Sequence, residues 1–427
     1  MIIFLDLDGT LIHTAHSYFK EMKDGIIDTD LDLIKRYIFP GAIKFIKEEQ
    51  ARGNTLYIIS DSHPRYVNVI AEQIFNLPYL SLADKPNDIK TLNFIDSIPE
   101  LKNAFQNKDD FILIGDSWLD IALGRLLNIK TVLAQFYDTT EIDVRDGIGD
   151  ERKQIKQGPT YYASNFKEVA NIISNPLENL PALEAVFQGK ASSKSIKFNL
   201  QKYANGFTAF RCLARQDDGE CDKYARADKY LKIDDPERSL DFLEKLALSV
   251  SNFLKSVESQ SEYRWDYLSY VSDKITTSPP NKMKEIFDLV ESSVPKIKLF
   301  EWDQNVIGKL RNQPNYKARR EFIARYLSTF DTIDLKDKNI IVIDDQFTSS
   351  ATAYEISTQL RNKGAKNILF VALFYLILPL SNKTCPSCGM KMHIKINRRK
   401  GNKFYSCPLP KYGGNGCGRT INIPNEQ

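Results

Sequence analysis

Three sets of residues in this chain have types and spacings that can do chemistry. The first is spread over the N-terminal part: Asp6 and Asp8 in "FLDLDGTL", Ser60 in "LYIISDS", Lys85 in "LADKPND", and Asp116 and Asp120 in "ILIGDSWLDIALG". Asp6 and Asp8 share one side of a strand, so a strand ending there turns both toward one substrate, with Gly9 free to make the turn. Asp116 and Asp120, four apart at a strand–helix junction, present two carboxylates on one face and suit a hard, oxygen-loving cation. The second set is compact. In "IIVIDDQFTSSATAYEISTQL" an apolar run ends at Asp344 and Asp345, followed by Thr348, Ser349, Ser350, Ala351 and Thr352 at the start of a helix-like stretch. Acids with a hydroxyl-rich turn at a helix start make a receptor for a sugar phosphate. The third set is Cys385, Cys388, Cys407 and Cys417, spaced C-x2-C, eighteen residues, C-x9-C. Four thiolates suit a closed tetrahedral Zn²⁺ site.

The elements that position these sets follow from periodicity. Up to about Asn175 the strand-like runs "MIIFLDL", "TLYIIS", "FILIGD" and "KTVLAQ" alternate with helical patterns, which implies a parallel α/β sheet. One such helix is "GAIKFIKEEQARG", where Ile43, Ile46 and Lys47 read as one stripe closed by Gly53. Residues 176–195, with prolines and a small polar cluster, read as a linker with one helical turn, and residues 196–380 as a second parallel-sheet domain. The thirteen-residue run "ILFVALFYLILPL" is too short to span a bilayer and reads as a buried strand. Residues 381–427 form a small β unit, with "MHIKIN" and "KFYSC" as a hairpin around "RRKGNK". The expected fold is α/β: two Rossmann-like parallel-sheet domains in tandem plus a small β zinc ribbon. Cys212 and Cys221 are given no role.

A length of 427 residues asks for two or three domains, and 42% hydrophobic with 26% charged residues fits a globular protein. Asp6 and Asp8 fall where the apolar core of a secretory signal would run, so a cytoplasmic protein with no membrane partner is expected. The net charge of +3 is uneven: residues 383–427 carry nine Lys and Arg against one acid, a net of +8, and the rest of the chain carries −5. A basic tail on an acidic body points to a local anionic partner.

The first set resembles the haloacid dehalogenase superfamily over essentially all of residues 1–175, in the order of its motifs, the GDxxxD and the trailing "GRLLNIKTVLA". That resemblance implies Asp6 as a nucleophile forming an aspartyl-phosphate, and Asp8 as general acid and then base. It implies Ser60 and Lys85 as stabilisers of phosphoryl charge, with Lys90 as the nearby alternative to Lys85. Mg²⁺ would be held by Asp6, Asp116 and the backbone carbonyl of Asp8, with Asp120 in support. Only 51 residues separate Asp8 from Ser60, too few for a large cap once the helix before the second strand is counted. An open site admits a bulky phosphate ester or is covered by another domain.

The second set resembles the PRPP-binding loop of type I phosphoribosyltransferases. The resemblance implies that Asp344 and Asp345 bind ribose hydroxyls, and that Thr348, Ser349, Ser350, Ala351 and Thr352 grip the 5-phosphate. Ser350 stands where that family usually has Gly. Upstream, "RNQPNYKARREFIARYLSTF" resembles the competence-associated members, which makes Arg319 or Arg320 a candidate for a diphosphate, a solvated helix face being the alternative. The third set resembles the C-terminal zinc ribbons of type I topoisomerases. That implies contact with single-stranded DNA or RNA through Arg398, Arg399, Lys400, Lys403, Phe404 and Tyr405. His393 is a strand residue or a stray ligand.

Taken together, the expected function is a bifunctional enzyme with Mg²⁺ and Zn²⁺. It would pair phosphomonoester hydrolysis with PRPP-dependent phosphoribosyl transfer, acting on a phosphorylated small molecule and PRPP to make or process a nucleoside-like metabolite. Fusions of these two families resemble parts of bacterial stress-response gene clusters. The alternative is a phosphatase for nucleic-acid ends, targeted by the ribbon, with the transferase-like domain as a nucleotide sensor.

Overall fold

The structure, a computed structural model, describes residues 1–137, 151–198, 208–216, 240–273, 283–308, 310–313, 316–347, 350–396, 402–408 and 416–423. The chain divides into two compact units. One holds Met1–Pro176 together with Ile377–Gln427, and the other holds Leu177–Gln216 together with Tyr224–Leu376.

The first unit is built on six strands: β1 (Ile2–Leu5), β2 (Thr55–Ile59), β3 (Tyr79–Leu80), β4 (Phe111–Gly115), β5 (Lys130–Ala134) and β6 (Tyr161–Ala163). They pair in parallel in the order β3-β2-β1-β4-β5-β6. The strands read as continuous apolar runs because both faces of the sheet are covered, as the full burial of β4 attests. The chain order reverses direction between β1 and β4. In an open parallel sheet the crevice outside the carboxyl ends of those two strands is where a ligand is received.

Helices cover the sheet where capping and periodicity agree. The helix Trp118–Leu126 begins with a capping box, Ser117 accepting from the Asp120 N–H while the Asp120 carboxylate accepts from the Ser117 N–H. The helix Phe166–Ser174 buries Phe166, Val169 and Ile172, one per turn, behind an Asn165 cap. The helix Ala42–Ala51 differs from its expected stripe. It buries Ala42, Phe45, Ile46 and Glu49, while Ile43 is exposed. Glu49 is tolerated inside because Arg52 and Asn54 both donate to its carboxylate. Between β1 and this helix lie only a 3₁₀ turn, Ser17–Phe19, and two short α-helices, Lys20–Lys23 and Leu31–Arg36.

The second unit contains β7 (Ile196–Phe198), β8 (Thr208–Gln216), β9 (Tyr267–Tyr270), a separate antiparallel pair of β10 (Phe300–Trp302) with β11 (Leu327–Thr329), then β12 (Asn339–Phe347) and β13 (Asn367–Leu376). Its main sheet runs β7-β8-β13-β12-β9, with β7 antiparallel to β8 and the other pairs parallel. The run Ile340–Ile343 lies buried inside β12, and "ILFVALFYL" forms β13, as its apolar character requires. Residues 176–195 are more than a linker. The helix Ala182–Phe187 buries Ala182 and Leu183 in the core of this unit, beside Leu213, Leu246 and Leu373. Glu184 on that helix takes three hydrogen bonds from Arg215 of β8: from N at 2.7 Å, Nε at 3.0 Å and Nη2 at 2.6 Å.

The third sheet is β14 (Leu380–Thr384), β15 (Lys391–Ile396), β16 (Lys403–Ser406) and β17 (Thr420–Asn422), antiparallel throughout. It belongs to the first unit. Leu380 packs against Ala122, Leu126 and Trp118 of the helix Trp118–Leu126. No helix among the described residues is long and apolar enough to cross a membrane.

Candidate active site and metal centres

At the switch between β1 and β4 the chain delivers its acids. Asp6 follows the last residue of β1, and its N–H still bonds to Ile114 O of β4 at 2.9 Å. Asp116 follows β4 in the same way. Lys85 reaches between the carboxylates, its Nζ 2.7 Å from Asp6 Oδ1 and 2.5 Å from Asp120 Oδ1. Asp6, Asp116 and Asp120 are all buried, and one oxygen of each lies within 4.8 Å of the others. Glycines let these groups come so close. A Cβ on Gly9, which sits at φ +87°, would lie 2.1 Å from Asp116 Oδ2.

The second oxygen of Asp120 is committed to Ser117, accepting from its N–H at 3.0 Å and its Oγ at 2.6 Å. With both oxygens engaged, Asp120 positions Lys85 and starts its own helix. Lys85 is further fixed by its loop. Leu82 N–H donates to Ser62 O, Ala83 N–H to Ser60 O, and Lys85 N–H to Asp61 Oδ1 at 2.8 Å. Leu82 and Asp84 adopt positive φ here, at 49° and 63°, a strain that the surrounding bonds must hold. Lys90, the alternative candidate, instead donates to Leu82 O at 2.7 Å.

Electrostatics in this pocket are one-sided. Burial, and then the Asp120 charge, push the Asp6 carboxyl well above the usual carboxylate range, against the pull of Lys85. Burial and Asp120 likewise push Asp116 up to about 7. Burial works against the charge on Lys85, but Asp120, Asp6 and Asp61 outweigh it and hold the ammonium protonated. Three buried carboxylates facing one lysine leave room for another positive charge. The all-oxygen donor set fits Mg²⁺, with Asp6 and Asp116 as the carboxylates that would hold it.

Asp8 lies beside this cluster. Its Oδ1 accepts from Thr14 Oγ1 at 2.5 Å and Tyr66 Oη at 2.9 Å, and its Oδ2 accepts from Ser62 Oγ at 2.6 Å. Ser60 is buried, and its Oγ accepts from the Ser62 N–H at 3.1 Å. Thr14, Ser62, Tyr66 and Tyr137, whose hydroxyl donates to Asp116 Oδ2, were not foreseen. Ser62 had a signal, since it closes the same "LYIISDS" as Ser60.

In the second unit Asp344 and Asp345 stand near the carboxyl end of β12. Burial, and then the neighbouring Asp345, push the Asp344 carboxyl well up. Ser350 caps the helix Ala351–Asn362 at φ 62°, ψ 2°, the left-handed region. Ala351 and Thr352 open that helix, and Thr348 and Ser349 lie outside the described residues. Arg319 and Arg320 lie on the helix Tyr316–Tyr326. Arg320 is committed within the fold, to Glu355 at 3.2 Å and over the Tyr354 ring at 3.9 Å.

The four cysteines converge, one Sγ of each within 4.8 Å of the others. Cys385 and Cys417 Sγ are 3.6 Å apart, and Cys388 and Cys407 Sγ 3.5 Å. Tetrahedral Zn²⁺ with Zn–S bonds of about 2.3 Å would place sulfurs about 3.8 Å apart, so the cluster fits the ion. Burial raises the Cys385 thiol, but the Ser387 and Cys388 N–H groups and neighbouring thiols outweigh it and bring it down to about 6. His393 stands outside the cluster, paired in β15 with its Nδ1 3.0 Å from Pro379 O. On β16, Tyr405 packs against Cys385, Met392 and Cys407, while Lys403 and Phe404 precede it. Arg398, Arg399 and Lys400 lie outside the described residues, as does Cys221, whereas Cys212 is a buried residue of β8.

No family model and no curated protein matches the chain. Among solved structures, a haloacid dehalogenase-like hydrolase from Streptococcus pneumoniae is similar at 20% identity and a TM-score of 0.28, over 40% of this chain and 97% of that one. A hydrolase from Pseudomonas syringae is similar at 14% identity and a TM-score of 0.29, over 40% and 97%. A phosphoserine phosphohydrolase-like protein from Francisella tularensis is similar at 16% identity and a TM-score of 0.27, over 40% and 98%.

Proposed function

We propose that the first unit hydrolyses phosphomonoesters through Asp6. The observation that carries this reading is Lys85 Nζ bonded to both Asp6 and Asp120 within a buried triad of carboxylates at the β1–β4 switch. An oxygen of Asp6 attacks phosphorus as the bond to the leaving oxygen breaks, and Asp8 delivers its proton to that oxygen. Water then attacks the phosphorus of the aspartyl-phosphate, Asp8 takes up the water proton, and inorganic phosphate leaves with the Asp6 carboxylate restored. Lys85 and Ser60 balance the charge on the transferring group. A divalent cation held by Asp6 and Asp116 would supply further neutralisation of phosphoryl charge. Asp6→Asn should abolish release of phosphate from a simple aryl phosphate, and excess EDTA should do the same to the wild type. Undiminished turnover in either case would overturn the assignment of nucleophile or metal.

A second reading applies to the second unit: it binds PRPP and transfers its phosphoribosyl group. It is supported by paired acids near the end of a parallel strand, with a helix N-terminus following at Ser350. The left-handed Ser350 also accounts for the glycine preference of that loop, because the backbone conformation is the one glycine adopts without strain. Consecutive transfer and dephosphorylation would yield a nucleoside-like product.

A further inference from the structure

We propose that the four-cysteine ribbon is a working part of the phosphatase, its residues Lys391 and Leu380 positioning the elements that carry Lys85, Asp116 and Asp120. The proposal rests on the phosphatase reading above. Contacts inside the first unit carry it. Lys391 Nζ on β15 pairs with Asp88 Oδ1 at 3.4 Å, with only 20% and 13% of the two side chains exposed. Asp88 is the residue before the helix Ile89–Ser97 and lies three positions beyond Lys85, on the loop stitched to Ser60, Asp61 and Ser62. Leu380 fills a position against Ala122, Leu126 and Trp118, on the helix whose first turn holds Asp120. The approach to the ribbon also bonds back: Leu378 N–H donates to Lys156 O at 2.7 Å and Leu380 N–H to Gln157 Oε1 at 3.3 Å. Gln154, on the helix that ends at Lys156, donates to Asp116 O at 2.8 Å.

The ribbon's own order depends on its centre. Met392, next to Lys391, is buried against Cys385 and Cys407. Ser381 Oγ donates to Met392 O at 2.6 Å, which ties β14 to β15. A sheet this small buries too little apolar surface to hold its shape alone, so its metal organises it. Loss of the ion therefore frees Lys391 and slackens the Lys85 loop, and thiol chemistry at the ribbon reaches the phosphatase through packing.

The test uses the full-length protein. Zinc content, phosphate release from an aryl phosphate and amide exchange of residues 82–97 are measured for the wild type, Lys391→Ala, Lys391→Arg, and Cys385→Ser with Cys388→Ser. The expected result is that Lys391→Ala keeps its zinc, loses exchange protection over 82–97 and loses about tenfold in kcat, the scale set by small misplacements of a reacting group. Lys391→Arg should restore both. The double cysteine variant should lose zinc, protection and kcat together. Zinc-replete Lys391→Ala with wild-type kcat overturns the proposal, whatever its exchange. An inactive wild type indistinguishable from Asp6→Asn fails the phosphatase reading itself and takes the positioning claim with it. Unchanged exchange in the zinc-free variant overturns the docking separately.

Discussion

Asp8 receives three hydroxyl donors, and that arrangement has a kinetic consequence. Thr14, Ser62 and Tyr66 aim the carboxyl that must protonate the leaving oxygen. An alkoxide needs that proton, whereas a nitrophenolate leaves without it. Removing the two distal hydroxyls, as Ser62→Ala with Tyr66→Phe, should slow hydrolysis of an alkyl phosphate by about a hundredfold, within the range that general acid catalysis supplies. Hydrolysis of nitrophenyl phosphate should slow far less. Equal losses on both substrates would mean that the hydroxyls only support the fold. At this scale the placement of Asp6, Ser60 and Asp116 just past β1, β2 and β4 was legible, because a strand end followed by a turn marks where a side chain will be presented. The donors around them were not. Tyr137 lies 21 positions from Asp116, and nothing in its local sequence says that its turn will bring it back.

At the scale of elements, the helix Ala182–Phe187 shows how a polar pair can decide where a segment folds. Arg215 and Glu184 are both fully buried and bond to each other through two guanidinium nitrogens. Removing Glu184 takes three hydrogen bonds from a fully buried arginine. Glu184→Ala should destabilise the second unit by at least about 1.5–3 kcal/mol, the worth of one hydrogen bond to a charged group, read as a shift of its denaturation midpoint. A change within error would mean that Arg215 is satisfied without Glu184. A helical turn was legible in residues 176–195, but its docking was not, because the turn-forming prolines describe its flanks and not its core contacts. The ribbon offers a pH test. Burial, with Lys395 and Lys156 nearby, holds His393 down to about 4, against the hydrogen bond to Pro379 O. Its folded value lies below the unfolded one of about 6.5, so its contribution to stability is whole above that pH and drains away as pH falls toward 4. The His393 ring resonance should stay neutral from pH 7.5 to 5.5. Titration near 6.5 would place the ring in water.

At the scale of the molecule, the chain leaves the first unit after Pro176, builds the second, and returns at Ile377. The alternation of strands and helices made the parallel first sheet legible and the parallel strands of the second, whereas the antiparallel edge strand β7 makes that second sheet mixed. The return was hidden, because Leu380 meets Trp118 across more than 260 residues of sequence. Each unit has a core of its own, around Phe4, Phe111 and Leu113 in one and Leu246, Ile341 and Val371 in the other. Sites resting on separate cores should fail separately. Asp344→Asn with Asp345→Asn removes two carboxylate acceptors from the second unit. Hydrogen bonds to a charged group contribute about 1.5–3 kcal/mol each, so PRPP affinity should fall at least tenfold by calorimetry. Phosphate release by the first unit should stay within about twofold of wild type, the scatter expected of uncoupled sites. Loss of phosphatase activity in this variant would show that the second unit supports the first. If the wild type itself binds no PRPP, Ser350→Gly separates two causes. A left-handed residue costs about 1–2 kcal/mol without glycine, so relief of that strain should raise stability in every case. Binding that appears only in Ser350→Gly would assign the defect to the loop, and absence of binding in both would remove PRPP as the ligand.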